Sequence, residues 1–228
     1  MPTAERIDLV LLDVGGPIYD DVAYRDALLR AAQELAAEEG RDIDEAEFQR
    51  VCDDHRQQQA GSLRSKIAER FFTPALRERL SDLAQRYWEY PASCLYDDVL
   101  PALRLVSERY RIALVANQRT EVLRALRRDG VAEHVDIWAI SEALGVEKPD
   151  PRIFRHALRE AGVDPANAVH VGNRLDSDVR GAKGVGLRTV WVLRGEAPPN
   201  PTPEQLAETD LAVRTLAELP DALEQLSS

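Results

Sequence analysis

Charged and amide side chains stand at the carboxyl ends of the strands that the sequence predicts. Asp13 ends the first apolar run, and Asn117 follows Ala116 at the end of the second. Lys148 opens the segment Lys-Pro-Asp-Pro, and residues 173–178 follow a later run. A carboxylate can act as a nucleophile, and a lysine can stabilise negative charge. Because ligands of open α/β sheets bind at the carboxyl ends of the strands, we predict that these residues line a site for chemistry.

Short apolar runs rich in β-branched residues predict the strands that position these groups. Runs that are apolar throughout are typical of strands buried on both faces, as in parallel sheets. Amphipathic helical stretches separate the later runs, so we predict an α/β fold with a doubly wound, Rossmann-like parallel sheet. The predicted strands are residues 7–12, 112–116, 135–140, 169–172, 189–193 and 210–213. The predicted helices of this part are residues 120–128, 151–161, 177–184 and 218–226.

One interval, from residue 20 to about residue 94, breaks the alternation. It has no strand pattern and instead has helical periodicity, with Gly40 and Gly61 as helix ends or breaks. We therefore predict an inserted all-helical domain over residues 18–94, and an α/β core formed by residues 1–17 and 95–228. The predicted helices of the insertion are residues 23–39, 45–59, 62–72 and 74–90. The Pro-rich segment 195–203 predicts an extended loop.

The composition excludes several classes of function. A net charge of −11 argues against nucleic acid and against an anionic membrane surface as partners. The two cysteines, Cys52 and Cys94, lack the spacing of a zinc site or of a disulfide framework. The first residues contain no apolar segment typical of a signal peptide, and no run is long enough to span a bilayer. We therefore expect a cytoplasmic protein.

The order of these strand-end motifs resembles the four motifs of the haloacid dehalogenase-like superfamily. The strongest match is Val-Gly-Asn-Arg-Leu-Asp-Ser-Asp-Val-Arg-Gly-Ala-Lys-Gly-Val-Gly-Leu over residues 171–187, and Lys-Pro-Asp-Pro-Arg-Ile-Phe over residues 148–154 is nearly as good. The helical insertion after the first strand is similar to the cap that many members carry there. The resemblance covers nearly the whole chain, and it implies a hydrolase.

This resemblance implies a role for each matching residue. Asp13 would be the nucleophile that forms a covalent intermediate, which water later hydrolyses. Lys148 would neutralise charge on Asp13 and on the transferring group, and Asn117 would hydrogen-bond substrate oxygens. The implied substrate-binding residues are Gly16, Ala116, Asn117 and Lys148. An implied Mg²⁺ ion would take oxygens from Asp13, Gly15, Asn173 and Asp178, the last directly or through water.

Three positions depart from the phosphatase pattern of this superfamily. Phosphatases carry a second Asp two residues after the nucleophile, where this chain has Gly15, and general acid–base assistance is worth ~10²–10⁴-fold in rate. A Ser or Thr donor is replaced by Ala116, a change that can cost ~10²–10³-fold. Asn173 replaces an acidic metal ligand and removes one negative charge. In addition, Pro17 stands where Thr is usual and removes an N–H.

Three interpretations follow from these residues. The first is a hydrolase that acts on a small anionic substrate through Asp13, with weak phosphatase activity. The second is a catalytically inactive relative that binds a small ligand or a protein partner. The third is an α/β domain whose strand-end polar residues only cap helices, and four motifs in register argue against it. The intact Asp13 and Lys148 favour the hydrolase.

Overall fold

The computed structural model describes residues 6–88 and 90–227, and these residues divide into two compact units. The core unit holds the described residues through Asp20 and from Leu95 onwards, and the helical unit is Asp21–Cys94. The division lies three residues after the predicted boundary at residue 17. The reason is that Tyr19 pairs with Leu95, and the carbonyl of Ile18 accepts from the N–H of Tyr96. The N-terminal residues 1–5, on which the expectation about a leader segment falls, lie outside the described residues, as do residues 89 and 228.

The described part of the core unit contains a six-stranded parallel sheet of order β3-β2-β1-β4-β5-β6, which confirms the predicted fold class. The chain builds the sheet outward from β1, first to one side through β2 and β3 and then to the other through β4 to β6. The strand order therefore reverses beside β1. The strands are β1 Leu9–Leu12, β2 Arg111–Ala116, β3 Ile137–Ile140, β4 Ala168–Gly172, β5 Arg188–Val192 and β6 Leu211–Val213.

Four α-helices make up the described helical unit, because apolar residues at helical spacing give each of them one face to bury. They are α1 Val22–Ala37, α2 Glu45–Gln58, α3 Leu63–Phe71 and α4 Arg77–Tyr87, with a short 3₁₀ turn Pro74–Leu76 before α4. Leu28, Leu35, Ile67 and Leu80 are fully buried in a core that these helices share. Helix α2 ends one residue before the predicted span 45–59 does, and Gln59, with φ of 50°, rather than Gly61, takes the left-handed position directly after it.

The remaining helices belong to the core unit and cover its sheet. The buried side chains of β1, β2 and β3 share a cluster with the apolar face of α8, including Ile153 and Phe154. None of the helices in the described residues is both long enough and apolar enough to cross a membrane. The helices are α5 Val99–Ser107, α6 Val122–Arg128, α7 Ser141–Leu144, α8 Pro151–Ala161, α9 Arg180–Lys183, α10 Pro203–Leu206 and α11 Leu219–Leu226.

Side-chain hydrogen bonds account for several differences from the predicted elements. Strand β3 begins two residues later than predicted because the carboxylate of Asp136 takes the N–H of Ile112, at 2.9 Å. The Pro-rich segment ends in the short helix α10, because Thr202 and Gln205 form a reciprocal cap at its start. The predicted helix 177–184 is a π-helical turn, Leu175–Val179, followed by α9. Helix α5 was not predicted.

Candidate active site

The sheet brings three of the predicted site residues to neighbouring strand ends. Asp13 follows β1, Asn117 follows β2 and Asn173 follows β4, and β1 lies between the other two strands. The N–H of Asp13 donates to the carbonyl of Val171 at 2.9 Å, which extends the pairing of β1 and β4 to this edge. The candidate site therefore lies at the carboxyl ends of these strands, where the strand order reverses beside β1.

A buried chain of charges links Asp13, Lys148 and Asp178. The Lys148 ammonium lies 2.8 Å from the Asp13 carboxylate and 2.6 Å from the Asp178 carboxylate. The side chains of Lys148 and Asp178 are 2% and 0% exposed, whereas that of Asp13 is 12% exposed. Because buried charges are costly unless they are paired, each acid here stabilises the lysine and is stabilised by it. Of the three groups, Asp13 keeps the most surface for a ligand.

Asp178 uses both of its carboxylate oxygens for contacts inside the protein. One oxygen accepts from Lys148 and lies 3.1 Å from His170 Nε2. The other accepts from the backbone N–H groups of Asn173 and Arg174, at 3.1 and 2.9 Å. A carboxylate offers about four lone-pair sites, so these four contacts saturate it. Asp178 is thus a structural acid that fixes Lys148 and the turn after β4.

The environment shifts the pKa values of this cluster in different directions. Burial raises the pKa of Asp13 to about 6, against the opposing charge of Lys148. Burial alone would lower the pKa of Lys148, but the charges of Asp13 and Asp178 raise it above its ordinary value. Burial would also raise the pKa of Asp178, yet Lys148 and His170 hold it well below its usual range. At neutral pH, Asp13 is therefore ionised and faces a charged lysine.

His170 is buried beneath this cluster in the middle of β4. Burial lowers its pKa, so the imidazole is neutral at neutral pH. Because Asp178 is ionised, the proton sits on Nε2 and is donated to that carboxylate. The ring also meets Phe154 edge-on, with 5.1 Å between the ring centroids.

The side chain of Asn117 hydrogen-bonds both the N–H and the carbonyl of Lys148. Its side-chain oxygen accepts from the N–H of Lys148 at 2.6 Å, and its amide N–H donates to the Lys148 carbonyl at 2.9 Å. The resemblance implied that Asn117 hydrogen-bonds substrate oxygens. In the structure, its side-chain contacts instead position the lysine. Ala116, the last residue of β2, is fully buried.

Residues 14–17, which we call the nucleophile loop, turn tightly after Asp13. Gly16 has φ of +87°, and its N–H donates to the carbonyl of Tyr19 at 2.8 Å. A Cβ on Gly16 would stand 1.9 Å from Asn173 Nδ2, so the amide of Asn173 packs directly on this backbone. The Asn173 side chain also donates to the carbonyl of Arg194 at 3.2 Å and is almost fully buried.

The residues present do not fit an ordinary Mg²⁺ site. Within residues 6–88 and 90–227, no three His, Cys, Asp or Glu side chains are placed to hold a metal ion. Asp178 is saturated, so Asp13 is the one remaining carboxylate of the predicted ligand set. The other predicted ligands, the Gly15 carbonyl and the Asn173 amide, are neutral, and Lys148 already sits 2.8 Å from Asp13. Mg²⁺ requires hard oxygen ligands and is commonly bound by carboxylates.

Two residues of this site, His170 and Arg194, were not identified in the sequence analysis. His170 is a polar residue in an otherwise apolar strand, Ala-Val-His-Val-Gly, which is a signal that could have pointed to it. Arg194 follows β5 and contacts the nucleophile loop, but nothing in its local sequence distinguishes it from a surface arginine. Both residues reach the site through contacts that only the fold creates.

Two curated proteins are similar to this chain. Phosphoserine phosphatase from Thermus thermophilus is 37% identical over 163 residues, which cover 66% of this chain and 63% of that protein. Glyceraldehyde 3-phosphate phosphatase from Methanopyrus kandleri is 41% identical over 103 residues, which cover 44% of each. The chain therefore spans less than two thirds of the length of either relative.

A solved structure agrees with the fold over almost the entire chain. A HAD-hydrolase from Bacillus subtilis, solved bound to magnesium, has a TM-score of 0.70 and 19% sequence identity, with 96% of this chain and 99% of that chain covered. At this level of identity, the similarity concerns the fold. The family model described as haloacid dehalogenase-like hydrolase matches residues 7–186. The chain therefore belongs to the haloacid dehalogenase-like hydrolase family.

Proposed function

We propose that this protein is a hydrolase that acts on a small phosphorylated or related anionic substrate through Asp13, with the helical unit as its cap. The observation that carries the proposal is the contrast within the charged cluster. Lys148 and Asp178 are sealed from solvent, whereas the Asp13 side chain keeps 12% of its surface exposed. Burial raises the pKa of Asp13, so its ionised form is unfavourable. If the ion pair served stability alone, we would not expect this carboxylate to be the one that remains accessible to a ligand.

In the proposed reaction, an oxygen of the ionised Asp13 attacks the phosphorus, or the carbon, of the substrate. A bond forms from that carboxylate oxygen as the bond to the leaving group breaks, and water then hydrolyses the aspartyl intermediate. Lys148, held by Asn117 and Asp178, keeps a fixed positive charge beside the reacting atoms. Gly15 offers no side chain to protonate the leaving group, so the leaving group departs as an anion.

The similar proteins support a phosphorylated substrate. The two curated relatives are named as phosphatases of phosphoserine and of glyceraldehyde 3-phosphate, which are both small phosphate monoesters. The phosphatase activity that we propose is weak. The chain lacks the general acid at residue 15, a loss typically of ~10²–10⁴-fold in rate. It also lacks the hydroxyl donor at residue 116, a loss typically of ~10²–10³-fold in rate.

We also propose that the reaction proceeds without tightly bound Mg²⁺, since Lys148 supplies the positive charge and Asp178 has no free lone pair. The proposed location is the cytoplasm. Both cysteines, Cys52 and Cys94, are buried, and their number and spacing are not those of a disulfide framework, as in proteins of a reducing compartment.

A second candidate function is that of a binding protein for a small anion. The observation that favours it is that Asp178 makes four contacts within the protein and Asn173 donates to the Arg194 carbonyl, so that neither side chain is directed to a reacting group. The two candidates differ in whether Asp13 turns substrate over or only contacts it.

Steady-state turnover decides between them. Wild type and Asp13→Asn are assayed on p-nitrophenyl phosphate, phosphoserine and glyceraldehyde 3-phosphate, each with and without Mg²⁺. The hydrolase predicts slow turnover by the wild type that Asp13→Asn abolishes. Equal rates for both proteins would remove Asp13 as the nucleophile. Saturable binding of inorganic phosphate with no turnover would favour the binding protein.

A further inference from the structure

Arg194, the second residue after β5, holds the nucleophile loop by its main chain. Its Nε donates to the carbonyl of Gly16 at 3.2 Å, and a terminal N–H donates to the carbonyl of Pro17. These two carbonyls follow Asp13 by three and four residues. We propose that Arg194 is a positioning residue, which fixes the loop and so fixes Asp13 toward its substrate. This inference rests on the proposed role of Asp13 as the nucleophile.

The guanidinium of Arg194 is itself held on two further sides. A terminal nitrogen lies 2.9 Å from both carboxylate oxygens of Asp98, and the guanidinium carbon lies 3.9 Å above the ring of Tyr96. Asp98 also accepts the backbone N–H of Leu216 at 2.6 Å, so it is anchored to a separate segment of the core unit. The Arg194 side chain is only 11% exposed. Because the Arg194 guanidinium is already fixed by a carboxylate and an aromatic ring, it loses little conformational entropy when it binds the loop.

Asn173 completes this arrangement from the other side of the loop. Its Nδ2 donates to the Arg194 carbonyl at 3.2 Å while the amide packs on Gly16. An Asp at this position has no N–H to donate, and its charge would face the Arg194 carbonyl. The family resemblance implies a metal ligand at residue 173. In this structure Asn173 instead connects the loop to Arg194.

The contacts of Arg194 and Asn173 with the loop matter for the proposed catalysis because a nucleophile must be placed accurately. A displacement of about 1 Å at a reacting group can cost ~10²-fold in rate. Three N–H groups of this segment donate within it: Gly16 to Tyr19, and Ile18 and Tyr19 to Val14. Arg194 donates to the Gly16 and Pro17 carbonyls, so its loss removes the two hydrogen bonds that join these carbonyls to the segment after β5.

The kinetic test compares Arg194→Met and Arg194→Lys with the matched control Arg188→Met. Arg188 stands at the opposite end of β5 and also donates to two backbone carbonyls, those of Leu226 and Ala166, at 2.5 and 2.9 Å. We expect kcat on p-nitrophenyl phosphate to fall ~10–100-fold in Arg194→Met, with KM within about threefold. Arg194→Lys keeps the charge but lacks the several N–H donors of the guanidinium. We therefore expect its log kcat to lie closer to that of Arg194→Met than to that of the wild type. Arg188→Met keeps the wild-type kcat.

A second measurement does not depend on activity. Amide hydrogen exchange of Gly16, Ile18 and Tyr19 reports directly on the loop, and we expect it to accelerate at least ~10-fold in Arg194→Met relative to Arg188→Met. Unchanged exchange at these three amides would overturn the proposal, whatever the kinetics show. A fall in kcat equal to that of Arg188→Met would overturn it as well. If the wild type has no turnover, the proposed function fails, and the exchange result alone decides the role of Arg194.

Discussion

At the residue scale, the site depends on how burial and charge act together on Asp13. Burial raises the pKa of Asp13 to about 6, from an ordinary value of 3.8. The folded protein therefore holds the Asp13 proton more tightly than the unfolded chain does. The stability that this group contributes is present below pH 4 and is lost as pH rises through 6. Ionised Asp13 therefore reduces the stability of the folded protein at neutral pH.

Because the pKa of Asp13 is raised, we can predict the stability of the variant Asp13→Asn. We expect the variant to be more stable than the wild type at pH 8, by up to about 3 kcal/mol, since one pKa unit corresponds to about 1.4 kcal/mol. Lys148 keeps its contact with Asp178 at 2.6 Å, so the variant does not leave the lysine unpaired. Urea unfolding at pH 8 and pH 3.5 measures the difference, which should vanish at the lower pH. A variant less stable than the wild type at pH 8 would contradict the argument.

The sequence predicted the charged residues of the site better than it predicted their partners. Asp13, Lys148 and Asp178 were recognised because each lies in a motif, and the structure brings the three together within hydrogen-bond distance. The contacts of Asn117 with Lys148 and of Arg194 with Gly16 join residues 31 and 178 positions apart in the chain. No local pattern encodes such pairings, because the fold alone creates them.

At the scale of the element, the nucleophile loop requires glycine at position 16 for two reasons. Gly16 has φ of +87°, and an added Cβ would stand 1.9 Å from Asn173 Nδ2. Gly162, which ends α8 with φ of +64°, has nothing within 4 Å of its added Cβ. It is therefore a control for the backbone cost alone.

We expect Gly16→Ala to lower the free energy of unfolding by about 2 kcal/mol more than Gly162→Ala, because Asn173 must move and its bond to Arg194 is lost. We also expect Gly16→Ala to lose at least ~10-fold in kcat while Gly162→Ala keeps it. Chemical denaturation and steady-state assays of both variants measure these differences. Equal effects of the two substitutions on stability and on kcat would mean that Asn173 does not constrain the loop.

The same loop lacks a side chain at Gly15, and this gives a prediction about leaving groups. Without a general acid, the rate should depend steeply on leaving-group pKa, so p-nitrophenyl phosphate should exceed an alkyl phosphate such as phosphoserine by more than ~10³-fold in kcat. Gly15 does not have positive φ, so its backbone φ does not exclude an L-residue. We expect Gly15→Asp to narrow this ratio by at least ~10-fold. A wild-type ratio near one would show that another group supplies the proton.

The sequence located most elements, including the end of α2 to within one residue, but it predicted neither the residue in the left-handed position at that end nor the π-helical turn before α9. The end of α2 falls on Gln59, whose side chain donates to the Arg56 carbonyl at 2.8 Å, and so a non-glycine residue takes the left-handed position. The π-helical turn before α9 begins where the N–H of Val179 reaches back to the Arg174 carbonyl. Periodicity does not distinguish a π-helical turn from an α-helix over so few residues.

At the scale of the whole molecule, the chain is a member of the haloacid dehalogenase-like hydrolase family in which Asn173 contacts Gly16 and the Arg194 carbonyl. We propose that it works without tightly bound Mg²⁺. We expect Mg²⁺ to leave the melting temperature of the wild type unchanged within about 1 °C, because the residues present do not fit the ion. Asn173→Asp should behave differently. It loses the bond to the Arg194 carbonyl, and it places a second carboxylate beside the loop.

We therefore expect Asn173→Asp to melt about 2–8 °C lower than the wild type in EDTA, for a loss of ~1–2 kcal/mol, and to recover part of this with millimolar Mg²⁺. Thermal melts with EDTA and with Mg²⁺ measure both effects, and calorimetric titration checks the binding. A wild-type protein that binds Mg²⁺ with sub-micromolar affinity would contradict the metal argument.

The proposal that Asp13 attacks the substrate requires a covalent intermediate on Asp13, and chemical trapping of that intermediate identifies the attacking residue. Wild type is mixed with a small-molecule phosphate ester, quenched within one turnover and reduced with borohydride, which converts an acyl phosphate to an alcohol. The account predicts that peptide mass spectrometry finds the reduced residue at Asp13, in a fraction of molecules that grows and decays with turnover, and finds none in Asp13→Asn. Turnover by the wild type with no modified Asp13, or modification at another acid, would contradict the account.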